Sequence, residues 1–408
     1  MPRSSSEAIA VIGAGVAGCA LAAQLRRLGH GGVLSLWETG RGPGGRASTR
    51  RSRRDGQLAL DHGAPLMNIT AEPAPDLLEP LLAGGWIEPW TGPVAMLEGE
   101  SRLNIGRPDA LGLGRLYRGR GGMDQLCQGL LHLAGASTVD AHYGVLVRHL
   151  ERSASGRWRL LDAGGQLLEE TDWLVLSGTL LAHPRSRLVM DWPEVPLERA
   201  IRGGDDLQLE HALTTIAGIR FEARTNLLLV FSGAAAEAWR GLPFTLVAFD
   251  AAAQQRWGLR RISIQPLADG RCAVVAHSTH VFAADHLDVV GTGSAAARQL
   301  GLPLDQGRED TVIAALSEAL SQCLAPWIGG LDTSQANPRL MRWAAAFPLA
   351  PGLPPSLAIC PWSRVGFCGD SIDGVGFGRI EGALHSAERL AASLLSPDYP
   401  ERHVQPLR

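Results

Sequence analysis

The chain has 408 residues, 45% of them hydrophobic, and a net charge of −3 at pH 7. That is enough apolar residue for one large α/β unit or two domains, and nothing in the near-neutral balance suggests a polyanion-binding surface. All 38 basic residues are arginine, which excludes Schiff-base chemistry and a Walker-type phosphate loop, since both need lysine. The cysteines at 19, 127, 272, 323, 360 and 368 form no CxxC pair and no disulfide framework, so the expected compartment is the reducing cytoplasm. No segment reads as a membrane span. The apolar stretch from Ala8 to Leu25 is better explained as strand, turn and helix than as a signal peptide.

The first element is a strand, Ile9 to Ile12, running straight into Gly13-Ala14-Gly15-Val16-Ala17-Gly18 and a helix to Leu28. Gly13 permits the tight turn, Gly15 lets a pyrophosphate approach the backbone, and Gly18 lets the helix pack closely on the sheet. The helix N-terminus then presents N–H groups and partial positive charge to phosphates. A second apolar run, Val33 to Trp37, ends at Glu38, twenty residues past the last glycine. A carboxylate there accepts from a ribose diol and disfavours a 2′-phosphate, so the expected adenosine belongs to FAD or NAD.

Arg41-Gly42-Pro43-Gly44-Gly45-Arg46 follows as a glycine-rich turn with two arginines. Flavoproteins use such a turn for a second approach to the pyrophosphate, with arginine giving charge-assisted hydrogen bonds. Residues 47–54 and 57–61 predict a hairpin around a type I′ Asp55-Gly56 pair, ending in Asp61-His62-Gly63-Ala64. The arginines at 50, 51, 53 and 54 read as a solvated hairpin face, not a nucleic-acid site.

Further on, Gly121-Gly122-Met123 precedes Leu126, Leu130 and Leu133 at helical spacing. Residues 141–148 read as a strand, with Val145 placed near the adenine. Residues 158–161, 166–169 and 173–176 form a short meander that returns to the first domain at Ser177-Gly178. Alternating runs at 226–231, 260–265 and 272–277 predict an antiparallel sheet, with helices at 293–300 and 310–324. His277 and His280 have ligand-like spacing, but no third ligand stands nearby and no metal is expected. A Pro-rich loop at 348–355 leads back to a strand ending in Gly369-Asp370 and a final helix from about Gly378, with Arg379 and Glu381 at its start. That piece suits the flavin end of FAD, because a helix N-terminus there stabilises negative charge on reduced flavin.

The expected fold class is α/β: a Rossmann-type FAD-binding domain with a mixed or antiparallel-sheet substrate domain. The FAD domain comprises 1–75, 105–182 and 338–396, the substrate domain 76–104 with Trp86 and Trp90 plus 183–337, and 397–408 is a tail. His277 and Trp343 are the substrate-side candidates: an imidazole can hydrogen-bond an amide or ribose, and an indole can stack on a nicotinamide. Each is also readable as a core residue.

The chain resembles the renalase family of FAD-dependent oxidoreductases, especially its bacterial and plant-type members. The stretches that carry the likeness are Ala14–Gly18, Gly44–Arg46, Leu60–Ala64, Gly121–Met123, Val275–Thr279, Arg342–Pro348 and Gly369–Leu384. The resemblance implies a p-hydroxybenzoate-hydroxylase-like architecture and non-covalent FAD. It implies oxidation of the 2- and 6-dihydro isomers of NAD(P)H, with oxygen reoxidising the flavin to give hydrogen peroxide. The absence of lysine argues against the alternative of a monoamine-oxidase-like site, where a lysine holds water beside the flavin. A desaturase on this fold, or a non-catalytic flavin-binding protein, are the other readings. No nucleic-acid or membrane partner is expected.

Overall fold

The computed structural model describes residues 6–52, 54–99, 101–106, 112, 114–135, 137–201 and 206–396. Arg53 and the expected tail at 397–408 lie outside the described residues.

The first half of the chain supplies β1 (Ile9–Ile12), α1 (Val16–Arg27), β2 (Leu34–Glu38), β3 (Thr49–Arg51), β4 (Ala59–Asp61) and β5 (Met67–Ile69). Then come α2 (Leu78–Ala83), β6 (Ile87–Pro89), β7 (Val94–Leu97), β8 (Leu103–Ile105), β9 (Arg115–Gly119), α3 (Asp124–Leu133) and β10 (Asp140–Tyr143). A meander of β11 (His149–Arg152), β12 (Trp158–Leu161) and β13 (Leu167–Thr171) leads to β14 (Trp173–Leu176). Helices α4 (Arg185–Met190), α5 (Pro196–Ala200) and α6 (Leu207–Gly218) precede the long strand β15 (Phe221–Phe231). Next are α7 (Gly233–Arg240), β16 (Leu246–Phe249), α8 (Ala251–Trp257), β17 (Leu259–Pro266) and β18 (Cys272–Ser278). The chain closes with α9 (His280–Asp285), α10 (Ala295–Gln299), α11 (Gln306–Ile328), β19 (Arg339–Pro348), β20 (Ile359–Cys360), β21 (Val365–Phe367) and α12 (Ile380–Leu394).

Two sheets organise these elements. The first has the order β10-β2-β1-β14-β21-β20 and is parallel except for its edge strand β20. Its central strands are buried on both faces, as a parallel sheet requires. Ile9, Val11, Leu36 and Val175 pack against α1, α3 and α12, while Ala10, Trp37, Leu174 and Phe367 face the meander and α6. Alanines at 17, 20, 22 and 23 favour the α1 helix and keep it close to the sheet. A Cβ on Gly18 would lie 2.1 Å from the Gly13 carbonyl oxygen, so only glycine permits that approach.

The second sheet has the order β19-β15-β18-β17-β16-β7-β8. Its two faces follow directly from the period-2 alternation. Leu227, Leu229, Val274 and Ile264 pack against α7, α8 and α11; Leu228, Val275 and Met341 pack against Leu60 of the β3–β4 hairpin. α11 is long and apolar enough, by length and composition, to cross a membrane, contrary to the expectation that no segment is. In this fold its Val312, Leu316, Leu320 and Leu324 are buried in the core under the second sheet.

Other expectations need correction. The β3–β4 connection is longer than a two-residue turn: Arg51 pairs with Ala59, and Gly56 lacks the positive φ that a type I′ turn demands. Asp55 instead takes a bidentate pair from Arg271, at 2.7 and 2.9 Å. Residues 78–89 do not join the second sheet. β6 pairs with β9, and Trp86 packs on the α1/α3 core. Likewise α5 and α6 cover the first sheet rather than building on the second. Amphipathic periodicity shows that a helix has a buried side, but not which sheet receives it.

The last helix begins at Ile380, two residues later than expected, and Glu381 is fully buried. Its Oε1 accepts from the Thr70 and Ala71 N–H groups, both at 2.6 Å, and its Oε2 from the Thr70 hydroxyl at 2.9 Å and from Arg379 at 2.6 Å. Burial pushes its pKa up, but these donors outweigh that and hold it below the usual value. Glu381 therefore ties α12 to the segment after β5 and has no face left for a cofactor. Glu381→Ala should cost about 3–5 kcal/mol, because two backbone donors and an arginine lose their buried acceptor. Urea unfolding of the two proteins measures it.

Candidate functional site

The loop from β1 into α1 is built from backbone. Gly13 has φ +107°, and its N–H donates to the Trp37 carbonyl at 2.8 Å. Ser177, at the end of β14, caps the turn by donating to the carbonyls of Ile12 and Gly13 at 3.0 and 2.8 Å. Gly15 is the N-cap of α1, where no side chain caps the helix and no acid occupies the first turn. Val16 and Ala17 begin the helix, so its first N–H groups are open to an anion. The second glycine turn docks on this loop: the Gly44 N–H donates to the Ala14 carbonyl at 2.8 Å, and a Cβ on Gly45 would come within 3.1 Å of the Gly15 Cα. Two backbones lacking side chains thus flank one concave surface, which is the cradle a pyrophosphate needs. Arg41 is exposed at its rim.

Glu38 marks one end of this surface. Its Oε2 accepts from the Ala14 N–H at 2.9 Å and its Oε1 from the Gly40 N–H at 2.5 Å. Each carboxylate oxygen keeps further acceptor capacity, enough for a ribose diol. The Val145 N–H donates to the Glu38 carbonyl at 3.0 Å, which puts Val145, half-buried, at the same end of the surface as Glu38.

The other end joins the two termini of the sequence. Arg46 makes a bidentate pair with Asp370, at 2.7 and 2.6 Å, and donates to the Ala346 carbonyl at 2.7 Å. Burial lowers the Arg46 pKa, but the pair with Asp370 outweighs it and raises the value. The expectation that Arg46 points its charge at the pyrophosphate is therefore corrected: its guanidinium is engaged by the Gly369-Asp370 turn. Gly369 has φ +146° and donates to the Ser386 hydroxyl at 2.9 Å, fixing that turn on α12. Arg379, the N-cap of α12, turns its guanidinium to Thr70 and Glu381.

A third arginine was not foreseen. Arg185 lies over the Phe221 ring, 4.5 Å from its centroid, and one of its amino groups is buried without a partner. Burial, then the nearby Arg46, pushes its pKa down to about 10, with Asp370 opposing. A single aspartate thus faces two guanidinium groups, an imbalance that an anionic ligand would relieve. Nothing in the local sequence distinguishes Arg185 from surface arginines.

Beyond this pair lies a polar chamber. The His62 and Trp343 rings are nearly parallel, 11° apart, with centroids 5.7 Å apart. Gly63 is packed beneath them: a Cβ there would lie 2.1 Å from the Arg46 carbonyl oxygen and 3.4 Å from the Trp343 ring. The His62 carbonyl accepts from Asn226 at 2.8 Å. Strand register puts Trp343 opposite Arg224, and Met341, Asn226, His277 and Arg261 in one row across four strands. That row faces the first domain. The polar atoms His62 Nδ1, Asn226 Oδ1, His277 Nε2 and Arg261 Nε are buried there with no partner among the described residues. His62 is driven down to about 4 by burial and then by Arg50. His277 is held well below its ordinary value by burial, then Arg261 and Arg224. Both imidazoles are neutral near pH 7. His277 and Trp343 are thus brought to the same chamber. Asn226, Arg224 and Arg261 are its unforeseen members, and their signal was polar residues at alternate positions in otherwise apolar strands.

Comparison with known proteins agrees with this geometry. The family model of an NAD(P)-binding Rossmann-like domain matches residues 11–81. No curated protein is significantly similar in sequence. Among solved structures, a provisionally named protoporphyrinogen oxidase from Exiguobacterium sp. 255-15 superposes with a TM-score of 0.61 at 13% identity, covering 96% of this chain and 99% of that one. Cyclohexylamine oxidase from Brevibacterium oxydans IH-35A gives 0.58 at 13% identity, covering 96% and 99%. Putrescine oxidase bound to putrescine gives 0.56 at 14%, covering 95% and 99%. These likenesses establish the fold: a Rossmann-type domain joined to a mixed-sheet domain.

Two measurements check the site. Glu38→Ala should weaken binding of an adenine dinucleotide by about 1.5–3 kcal/mol, roughly 10- to 150-fold in Kd, because a charged acceptor is lost. An equilibrium titration of the apoprotein reads it directly. His62 has a folded pKa below its unfolded one, so its contribution to stability is full above about pH 6.5 and is lost as pH falls toward 4. The loss is about 3 kcal/mol for the shift cited. His62→Gln should flatten the dependence of the melting temperature on pH between 6.5 and 4.

Proposed function

We propose that the protein is an FAD-dependent oxidoreductase that oxidises the 2- or 6-dihydro isomers of NAD(P)H. Bound FAD would supply the hydride acceptor and, on reoxidation by oxygen, release hydrogen peroxide. The cradle from Val145 and Glu38 through Gly15 and Gly45 to Asp370 fits an extended dinucleotide, and Arg185, with a buried amino group that has no partner among the described residues, fits an anionic one.

The observation that carries the substrate reading is the character of the chamber. An electron-rich dihydropyridine gives up a hydride without acid or base catalysis, so its site must place the ring and exclude water. Trp343 and His62 offer parallel ring faces. Neutral His277 and the free Asn226 carbonyl oxygen can accept from, and His277 can also donate to, a carboxamide or ribose. Arg261 is driven down to about 10 by burial, then by Arg260 and Arg224, and remains a cation at neutral pH.

The amine oxidases that share the fold favour a second reading, oxidation of an amine. The charge on this face opposes it. The groups that lower the His277 pKa include Arg261, Arg224 and Arg260, and Glu222 is already paired with Arg224 at 2.5 Å. An ammonium group would enter against these cations.

The purified protein should be yellow, release FAD on acid precipitation, and bleach anaerobically with the 2- or 6-dihydro isomers but not with ordinary NADH, NADPH or simple amines. Bleaching by amines or ordinary NAD(P)H alone sinks the reading. Trp343→Leu and His277→Asn should each slow flavin reduction about 5- to 12-fold while leaving the FAD Kd within about threefold, since a lost stacking or hydrogen-bond contact is worth about 1–1.5 kcal/mol.

A further inference from the structure

A cleft of about 460 Å³ opens between β3, the start of α11 and the start of β19. Arg50 and Arg339 line it, together with hydroxyl and amide side chains that include Ser294, Thr333 and Asn337. Neither arginine pairs with a carboxylate among the described residues. The two acids in the cleft are already engaged: Glu309 accepts from the Thr292 N–H at 2.8 Å, and Asp310 accepts from Gln306 at 2.8 Å. Burial, then the charges of Arg339 and Arg41, depress the Arg50 pKa, so three cations stand close together, with Arg50 and Arg339 in no ion pair among the described residues.

This cleft meets the chamber at β19. Met341 lines it and sits opposite Asn226 in the sheet. Arg339, Met341 and Trp343 occupy alternate positions of β19 and so share its face. Four residues of strand span about 13 Å. A ring held at Trp343 and a negative group held at Arg339 and Arg50 would therefore be separated by the reach of a ribose and one or two phosphates.

We infer that this cleft is the binding site for the phosphate groups of the electron donor, which enters with its ring toward Trp343 and His62 and its phosphates on Arg50 and Arg339. The ring half of this inference rests on the proposed function; the anion half does not. The residues lining the cleft do not include Gly15 or Gly45, whose cradle would hold the phosphates of FAD. Guanidinium groups suit the task because each presents two parallel N–H donors to a phosphate.

The test uses the FAD-loaded protein, so that the cradle is filled, and the variants Arg50→Gln and Arg339→Gln. Inorganic pyrophosphate is titrated calorimetrically. Binding to the parent protein that weakens on the order of 10-fold in each variant supports the site; no binding, or equal binding to all three, overturns it. Unchanged flavin absorbance shows that a variant is folded, and if Arg50→Gln loses FAD then Arg339→Gln alone decides. Anaerobic flavin reduction is then compared for the 6-dihydro forms of the dinucleotide, the mononucleotide and the riboside. The variants should raise the half-saturating concentration on the order of 10-fold for donors that carry phosphate and leave the riboside unchanged. An effect on the dinucleotide alone assigns the site to its pyrophosphate bridge, and an effect on both to the nicotinamide-side phosphate. An equal effect on the riboside overturns the proposal. If no isomer reduces the flavin, the proposed function fails and the pyrophosphate titration still decides the anion site.

Discussion

One ion pair holds the site together across the length of the chain. Arg46 and Asp370 are 324 residues apart, yet the guanidinium takes both carboxylate oxygens and the Ala346 carbonyl. Three segments that meet at the chamber are thereby placed relative to one another: the second glycine turn, the end of β19 and the loop before α12. The pair is not mainly a source of stability. The Arg46 side chain is 40% exposed, and taking Asp370 out of water costs much of what the attraction returns. Its effect is geometric, because a bidentate fork fixes orientation as well as distance.

Where a residue's task is set by its own backbone, the sequence was legible. Gly13, Gly15 and Gly18 had to be glycine for reasons that a turn, a close approach and a helix contact each dictate, and the structure puts atoms where a Cβ would collide at 13 and 18. Glu38 was placed by its distance from that loop, and the strands of the second sheet by their alternation. Where the task depends on a partner far away, the sequence was silent. Arg46 was assigned to a phosphate because nothing local announced Asp370. Glu381 was assigned to the flavin because nothing local announced Thr70 and Ala71. Arg185 drew no attention at all. The boundary drawn at residue 183 likewise could not show that α5 and α6, which follow it, cover the first sheet.

The second sheet shows how one alternation can serve two purposes. On β15 the residues 224, 226, 228 and 230 face the first domain, but they are not alike. Leu228 and Val230 meet the apolar hairpin around Leu60, whereas Arg224 and Asn226 lie beside the chamber. β18 repeats the pattern, with Ala273 and Val275 on the apolar side and His277 on the polar side. The docking surface grades into the chamber within two residues. Its rigidity therefore comes from the same strands that carry the polar groups, and those groups lie on sheet, not on loops.

The order of strands in the first sheet has a consequence for how the protein is made. β1 and β14 pair early in the chain, but the outer edge of β14 waits for β21, and the loop that bears Asp370 follows it. During synthesis the N-terminal part can assemble its glycine loop long before its partner for Arg46 exists. Until residues near 370 leave the ribosome, β14 carries an open, apolar edge of the kind that invites wrong pairing. Completion of the site is thus a late event of biogenesis, set by the place of β21 in the chain.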